Sequence, residues 1–287
     1  MLLLGILILF MSCPLVVGIG ALFCFGSKKP RTGAVGLLLH TISETKEPHC
    51  SYYSPAKFGA LLEFLNSKGA VFQTVFQASN QPARQFRKLD VVMTFDDGFE
   101  SFYALALPIL ERYKFAITIF PVAGYLGKRS TWDTLPPQVH LTKEHVREIA
   151  ACGHEIGSHT MTHANLTLLS DADLADELVH SKLLLEDVTG KPVTSISFPF
   201  GQWNKRVWSA AQKAGYSSAT SYAYRAISEP GIVPLWGIYS FDSVQEVIER
   251  SVLSRRFSNA VARGCIMPHF AKGTPLWKFR SNYAVVR

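Results

Sequence analysis

Short apolar runs that end in polar residues recur along this chain: Val35–Leu39, Val91–Phe95, Ala116–Pro121, Glu155–Ser158, Ser195–Pro199, Ser217–Ser221, Leu235–Ile238 and Cys265–Pro268. Their length and bounding residues predict buried strands. Between many of them the apolar spacing changes to a helical one. Phe58, Leu61, Leu62 and Leu65 fall at i, i+3, i+4 and i+7 behind Ser54 as cap and Pro55 as first helical residue, with Gly69 closing the segment. Helices are also predicted over Thr142–Ala151, stopped by Gly153, and over Ala172–Val188, opened by Ser170 with Asp173. Lys205–Ala214 and Ser243–Arg255 complete the set. Strand–helix alternation of this extent predicts an α/β domain with a mostly parallel sheet, either doubly wound or closed as a barrel. The polar residues that end the strands would then gather at one face. The loop-like stretch Gly127–Pro137 is placed to form a wall of a site there.

The first 26 residues break this pattern. Leu2–Phe25 is almost wholly apolar and carries no charge, long enough to cross a hydrocarbon core of ~30 Å. A cleaved signal peptide would normally show a basic start and a shorter apolar stretch, whereas here Lys28, Lys29 and Arg31 follow the segment. The expected organisation is therefore a transmembrane or uncleaved signal anchor over 1–26, a basic linker over 27–32 and a single catalytic domain over 33–287. By the positive-inside rule the basic flank places the body in the cytoplasm, against the side implied by the resemblance described below.

Since residues 1–26 carry no charge, the net +7 belongs entirely to the body. That suits an acidic polymer or an anionic surface. Without a compact Arg/Lys run interleaved with aromatics, nucleic acid is not an expected partner. An apolar content of 48% excludes a disordered chain, and five cysteines without paired spacing exclude both a disulfide scaffold and a cysteine zinc finger.

Candidate chemistry sits at the strand ends. Asp96, Asp97 and Gly98 terminate Val91–Phe95. The glycine allows the chain to turn so that both carboxylates can reach one site, although the same three residues also compose an ordinary turn. Two adjacent carboxylates repel unless a cation or proton intervenes. His159 and His163, four apart within Gly153–His163, can present both imidazoles on one side, although the same spacing fits two surface histidines. Two imidazoles and one carboxylate make an open metal site of the catalytic kind. His154 is expected to be structural. Phe198-Pro199-Phe200-Gly201 follows Ser195–Ser197 and can hold a backbone N–H toward a ligand, although taken alone it reads first as an ordinary aromatic turn. His40 and His269 end two further strands, where either could act as a general acid, although each taken singly reads first as a structural histidine.

Taken together and in this order, Thr94-Phe95-Asp96-Asp97-Gly98, His159-Thr160-Met161-Thr162-His163 and Phe198-Pro199-Phe200-Gly201 resemble the polysaccharide deacetylase family, the NodB-like carbohydrate esterases. The resemblance covers roughly residues 33–270. Leu38-Leu39-His40-Thr41-Ile42 with Ser54-Pro55-Ala56-Lys57-Phe58 is similar to the branch acting on poly-N-acetylglucosamine.

The resemblance implies a distorted (β/α) barrel and metal-dependent removal of acetyl groups from an N-acetylglucosamine-containing glycan. It further implies a bacterial inner-membrane protein with an extracytoplasmic catalytic domain. Asp97, His159 and His163 would hold a divalent ion, commonly zinc, with cobalt or nickel as substitutes. Asp96 would be the general base, and the N–H of Phe200 beside Pro199 would receive the oxyanion. His40, by the branch, or His269, by the ordinary position of the motif, would protonate the leaving amine. By their loop positions Trp132, Asp133 and Trp203 could line a sugar groove, or equally serve as surface or packing residues. Many members carry an arginine that orients the base two residues before the motif proline. Ser197 stands there in this chain. Two other readings stay open: a membrane-anchored deacylase of an amino-sugar glycolipid, and an inactive glycan-binding scaffold.

Overall fold

A computed structural model describes residues 34–45, 51–81, 89–131, 138–222 and 229–247. The predicted strands appear as β1 (Val35–Leu39), β5 (Asp90–Asp97), β6 (Thr118–Pro121), β7 (Glu155–Ile156), β8 (Ser195–Ser197), β9 (Ser218–Tyr222) and β10 (Ile232–Gly237). Two pieces were not anticipated in the sequence: a short parallel pair, β2 (Thr41–Ile42) with β3 (Tyr52–Tyr53), and β4 (Val71–Gln73). Every named strand pairing is parallel, in the order β7-β6-β5-β1-β10-β9-β8. β4 pairs with the first residues of β5, and β6 pairs with the last ones. Because β1 occupies the other edge of β5, β4 and β6 must share one edge end to end. The path closes where Ser158, just beyond β7, bridges Ile196 of β8: its N–H donates to Ser195 O at 2.9 Å and its carbonyl accepts from Ser197 N–H at 2.9 Å. The result is a nearly closed parallel barrel.

The helices form where their caps and apolar spacing put them. α1 (Pro55–Ser67) starts at Ser54, whose hydroxyl accepts from Lys57 N–H, and buries Phe58, Leu61, Leu62 and Leu65. α2 (Val75–Asn80) is a short helix opened by a capping box from Thr74 and Gln77. A π turn over Phe102–Ala106 leads into α3 (Leu107–Glu111). α4 (Lys143–Ala151) is capped by Thr142, α5 (Asp171–Thr189) by Ser170, and α6 (Lys205–Lys213) by Asn204. Each of these three buries an apolar stripe: Val146 and Ile149 on α4; Leu174, Leu178 and Leu185 on α5; Val207 and Trp208 on α6. The Phe95 ring meets Phe58 edge-on at 5.7 Å and Phe102 at 4.8 Å, locking the strand that carries Asp96 and Asp97 between α1 and the π turn.

Among the described residues, no helix is long and apolar enough to cross a membrane. The expected anchor over 1–26 and linker over 27–32, together with Cys265–Pro268, lie outside the described residues, as does the predicted helix Ser243–Arg255 beyond residue 247.

Candidate active site

Parallel strands send all their C-terminal ends to one face of the barrel, and side chains from six of them meet there. His40 follows β1, Asp96 and Asp97 end β5, His159 and His163 follow β7, and Phe198–Gly201 follows β8. Tyr222 ends β9 and Tyr239 follows β10. They line one open cleft, with Ser51, Phe99, Ser197, Thr220 and Ser221 among its other walls.

The backbone here is strained. Asp97, Thr160, His163 and Phe200 take positive φ values of 68°, 67°, 61° and 59°, leaving only Lys114 as a non-glycine residue of this kind elsewhere among the described residues. Such conformations cost on the order of 1–3 kcal/mol each and persist where surroundings over-determine them. At the carboxylate turn Gly98 (φ 71°) is required, because a Cβ there would lie 2.6 Å from Cα of Pro121.

The histidine loop is fixed on both sides. Ala123 N–H donates to Thr160 O and Gly124 N–H to Met161 O. From α5, the Glu177 carboxylate accepts the N–H groups of Met161 and Thr162, each at 2.9 Å, and the Thr162 hydroxyl at 2.5 Å.

This scaffold directs three donor atoms at one point. Asp97 Oδ1 is buried, and it faces His163 Nε2 at 3.3 Å and His159 Nε2 at 3.5 Å, both too long for good hydrogen bonds. The ligating atoms of the three residues lie within 4.8 Å of one another. His159 Nδ1 donates to Ser197 O at 2.8 Å, which leaves Nε2 as the lone-pair nitrogen pointing inward. Burial, then the charge of His163, pushes His159 down to about 3, so its imidazole is neutral, the form that ligates a metal. Burial alone would raise Asp97. The contact with His163 and the charges of His163, His40 and His159 outweigh it and hold that carboxyl below the usual range. A buried anion facing two neutral-capable imidazoles is a donor set that fits a divalent ion such as zinc.

Asp96 has a different environment. It is 5% exposed, and burial, with the charge of Asp97 adding to it, raises its pKa well above the ordinary carboxylate value. The Ser197 hydroxyl opposes that rise by donating to Oδ2 at 2.7 Å. Oδ1 of Asp96 has no hydrogen-bond partner among the described residues. The serine that stands where the family often has arginine is therefore the group that orients this carboxylate. Its carbonyl also accepts from His159, so one residue holds both side chains.

The remaining expected residues separate. His40 lines the cleft and is near enough for its charge to act on Asp97 and His159. Pro199 is buried in the turn Pro199–Gly201, and the Phe200 ring meets His163 edge-on at 4.6 Å. Gly201 N–H and Gln202 N–H close that turn on Phe198 O and Pro199 O, bonds that do not use the Phe200 N–H. Trp203 packs on Phe198 at 6.0 Å and donates to Ser221 Oγ at 2.8 Å, so it supports a wall of the cleft from behind. His154 is buried and its Nδ1 accepts Ile117 N–H at 3.4 Å, a structural role as expected. His269, Trp132 and Asp133 lie outside the described residues.

Tyr222, Tyr239 and Glu177 were not singled out in the sequence, nor was a residue packed against the carboxylate turn. His140, 1% exposed, places Nδ1 2.9 Å from Asp97 O. Position gave no signal, since it follows a loop 43 residues away from the carboxylate.

Residues 83–219 match the family model for polysaccharide deacetylase. A candidate polysaccharide deacetylase of Bacillus subtilis, YxkH, is 32% identical over 199 residues, 68% of this chain. The chain spans 64% of that relative's length. A poly-beta-1,6-N-acetyl-D-glucosamine N-deacetylase of Staphylococcus aureus is 25% identical over 200 residues, covering 66% of this chain and 68% of that protein. In fold, the chain is similar to IcaB from Ammonifex degensii, with a TM-score of 0.65 at 22% identity over 77% of this chain and 97% of that one.

Proposed function

We propose, from the match of residues 83–219 to the polysaccharide deacetylase family model and from the Bacillus subtilis relative, that this chain hydrolyses the N-acetyl groups of an N-acetylglucosamine-containing polysaccharide, releasing acetate. The observation that carries the chemistry is the buried Asp97 Oδ1 faced by Nε2 of both His159 and His163. The substrate class is supported by the named activity of the Staphylococcus aureus relative.

Asp97, His159 and His163 would hold a divalent ion, which when bound there supplies Lewis-acid polarisation of an acyl carbonyl and lowers the pKa of water to near neutrality. The chain's own groups do the rest. Asp96, oriented by Ser197, accepts the proton of the attacking water, and its raised pKa makes it a stronger base than a solvated aspartate. Water oxygen adds to the acetamide carbon, and the backbone N–H of Phe200 donates to the oxygen on which charge develops. As the carbon–nitrogen bond breaks, His40 gives a proton to the departing nitrogen, leaving acetate and a free amine. The left-handed Phe200 and the fixed histidine loop hold these donors in place before substrate arrives. The apolar 1–26 segment would tether the domain to a bacterial membrane with the catalytic face outside.

The test is acetate release from N-acetylglucosamine oligomers by the full-length chain, after chelation and after adding back Zn²⁺, Co²⁺ or Ni²⁺. Metal-restored release supports the reading. Metal binding without release from any oligomer would refute the polymer and favour an amino-sugar glycolipid, and absence of metal binding would favour an inactive scaffold. Protease accessibility of the body in intact cells tests the membrane side.

A further inference from the structure

His140 lies outside the ligand set, yet its imidazole is packed against the ligand's backbone. Three observations bear on it. Asp97 sits at φ 68°, a conformation that a side-chain-bearing residue rarely adopts unaided. The Asp97 carbonyl receives two hydrogen bonds, from His140 Nδ1 at 2.9 Å and from Val122 N–H at 3.3 Å. A carbonyl can only accept, so the His140 proton must be on Nδ1. The residues around His140 form a strap over the same turn: Glu100 N–H donates to Val139 O, Leu141 N–H to Gly98 O and His140 N–H to Lys128 O. The ring is wedged between Phe99, at 4.8 Å, and Tyr125, at 5.6 Å. It is therefore a fixed donor on a fixed strap, aimed at the backbone carbonyl of the residue whose Oδ1 faces His159 and His163.

We propose that His140 is a positioning residue that holds Asp97 in its left-handed, metal-ready conformation through the Nδ1–H to Asp97 carbonyl bond. The proposal rests on Asp97, His159 and His163 being the metal site. It differs from a packing role in a way that variants can separate. In His140→Asn the amide nitrogen takes the place of Nδ1 and can still donate. In His140→Phe the ring still fills the space between Phe99 and Tyr125 but donates nothing. His140→Gln carries its amide one methylene further, out of line with the carbonyl.

The measurement is Zn²⁺ affinity of the full-length chain by calorimetry, with the melting temperature of the metal-free protein recorded alongside. Loss of a group that orients a metal ligand typically weakens metal affinity ten- to hundredfold. His140→Phe should bind Zn²⁺ about ten- to hundredfold more weakly at a nearly unchanged melting temperature, while His140→Asn stays within about threefold of wild type. Wild-type affinity in a folded His140→Phe variant would overturn the proposal. If that variant does not fold, the Asn and Gln variants decide: Asn tighter than Gln supports the role, and equal affinities refute it. Absence of Zn²⁺ binding by the wild-type chain would sink the metal reading itself, and this proposal with it.

Discussion

Replacing Ser197 with alanine should separate catalysis from metal binding. The hydroxyl donates to Asp96 Oδ2 at 2.7 Å, and the two residues are 3% and 5% exposed. Water has little access to take the place of the lost donor, so the full value of a hydrogen bond to a charged group, about 1.5–3 kcal/mol, is at stake. Converted at about 1.4 kcal/mol per decade, that predicts a fall in kcat of roughly 10- to 150-fold. The backbone carbonyl that orients His159 survives the substitution, so Zn²⁺ affinity should not change. A pH signature follows as well. Burial already raises Asp96, the Asp97 charge adds to it, and Ser197 is the opposing influence. Without Ser197 the carboxylate is protonated over more of the range, and the acid limb of kcat/KM moves to higher pH. The assay is acetate release across pH 5–9 with Zn²⁺ present. A variant within twofold of wild type at every pH, or one that loses metal together with activity, would refute the argument.

Three further expectations can be checked separately. Asp96→Asn should keep Zn²⁺ and lose turnover, whereas His163→Ala should lose both; calorimetry with an acetate assay decides, and metal loss in the first variant removes the base assignment. Glu177→Ala deletes the acceptor of two backbone N–H groups and one hydroxyl in the histidine loop, so Zn²⁺ binding should weaken by at least about tenfold while α5 stays helical by circular dichroism. His159 and His140 are pushed down to about 3 and about 4, chiefly by burial, so the unfolded chain takes up protons that the fold refuses. Stability of the metal-free chain should therefore fall as pH drops from about 6.5 toward 4, with the raised Asp96 offsetting part of the loss. Urea midpoints that hold steady or rise over that window would contradict it.

What the sequence made legible was local. Ser54 and Pro55 open α1, and Gly98 ends the β5 turn, because those residues act on their own backbone. The Asp96–Asp97 and His159–His163 spacings announced a shared site for the same reason. The missed features depend on distance along the chain or on short, mixed patterns. β4 is three residues long with none fully buried, so it has no period to read. The π turn after β5 lacks the 3.6-residue period by which a helix is read from sequence. Ser197 reaches Asp96 across 101 residues and His140 reaches Asp97 across 43, contacts created only by tertiary folding. Trp203 shows the converse: aromatic character suggested a groove, but its indole N–H and ring are used on Ser221 and Phe198.

The closure of that barrel bears on its mechanics. Between β7 and β8 the join is a single residue wide: Ser158 donates to Ser195 O and accepts from Ser197 N–H. The very next residue is His159, tied through its ring to Ser197 O. A cation gripped by His159, His163 and Asp97 would thus act as a clasp across the weakest seam, joining β5 to the β7–β8 junction. Stripping it should unzip that seam before any other, so amide deuterium uptake at Ser158 and Ser197 would quicken on chelation while the β1–β5 amides stay slow. Uniform uptake around the ring would show that the staves hold without the clasp.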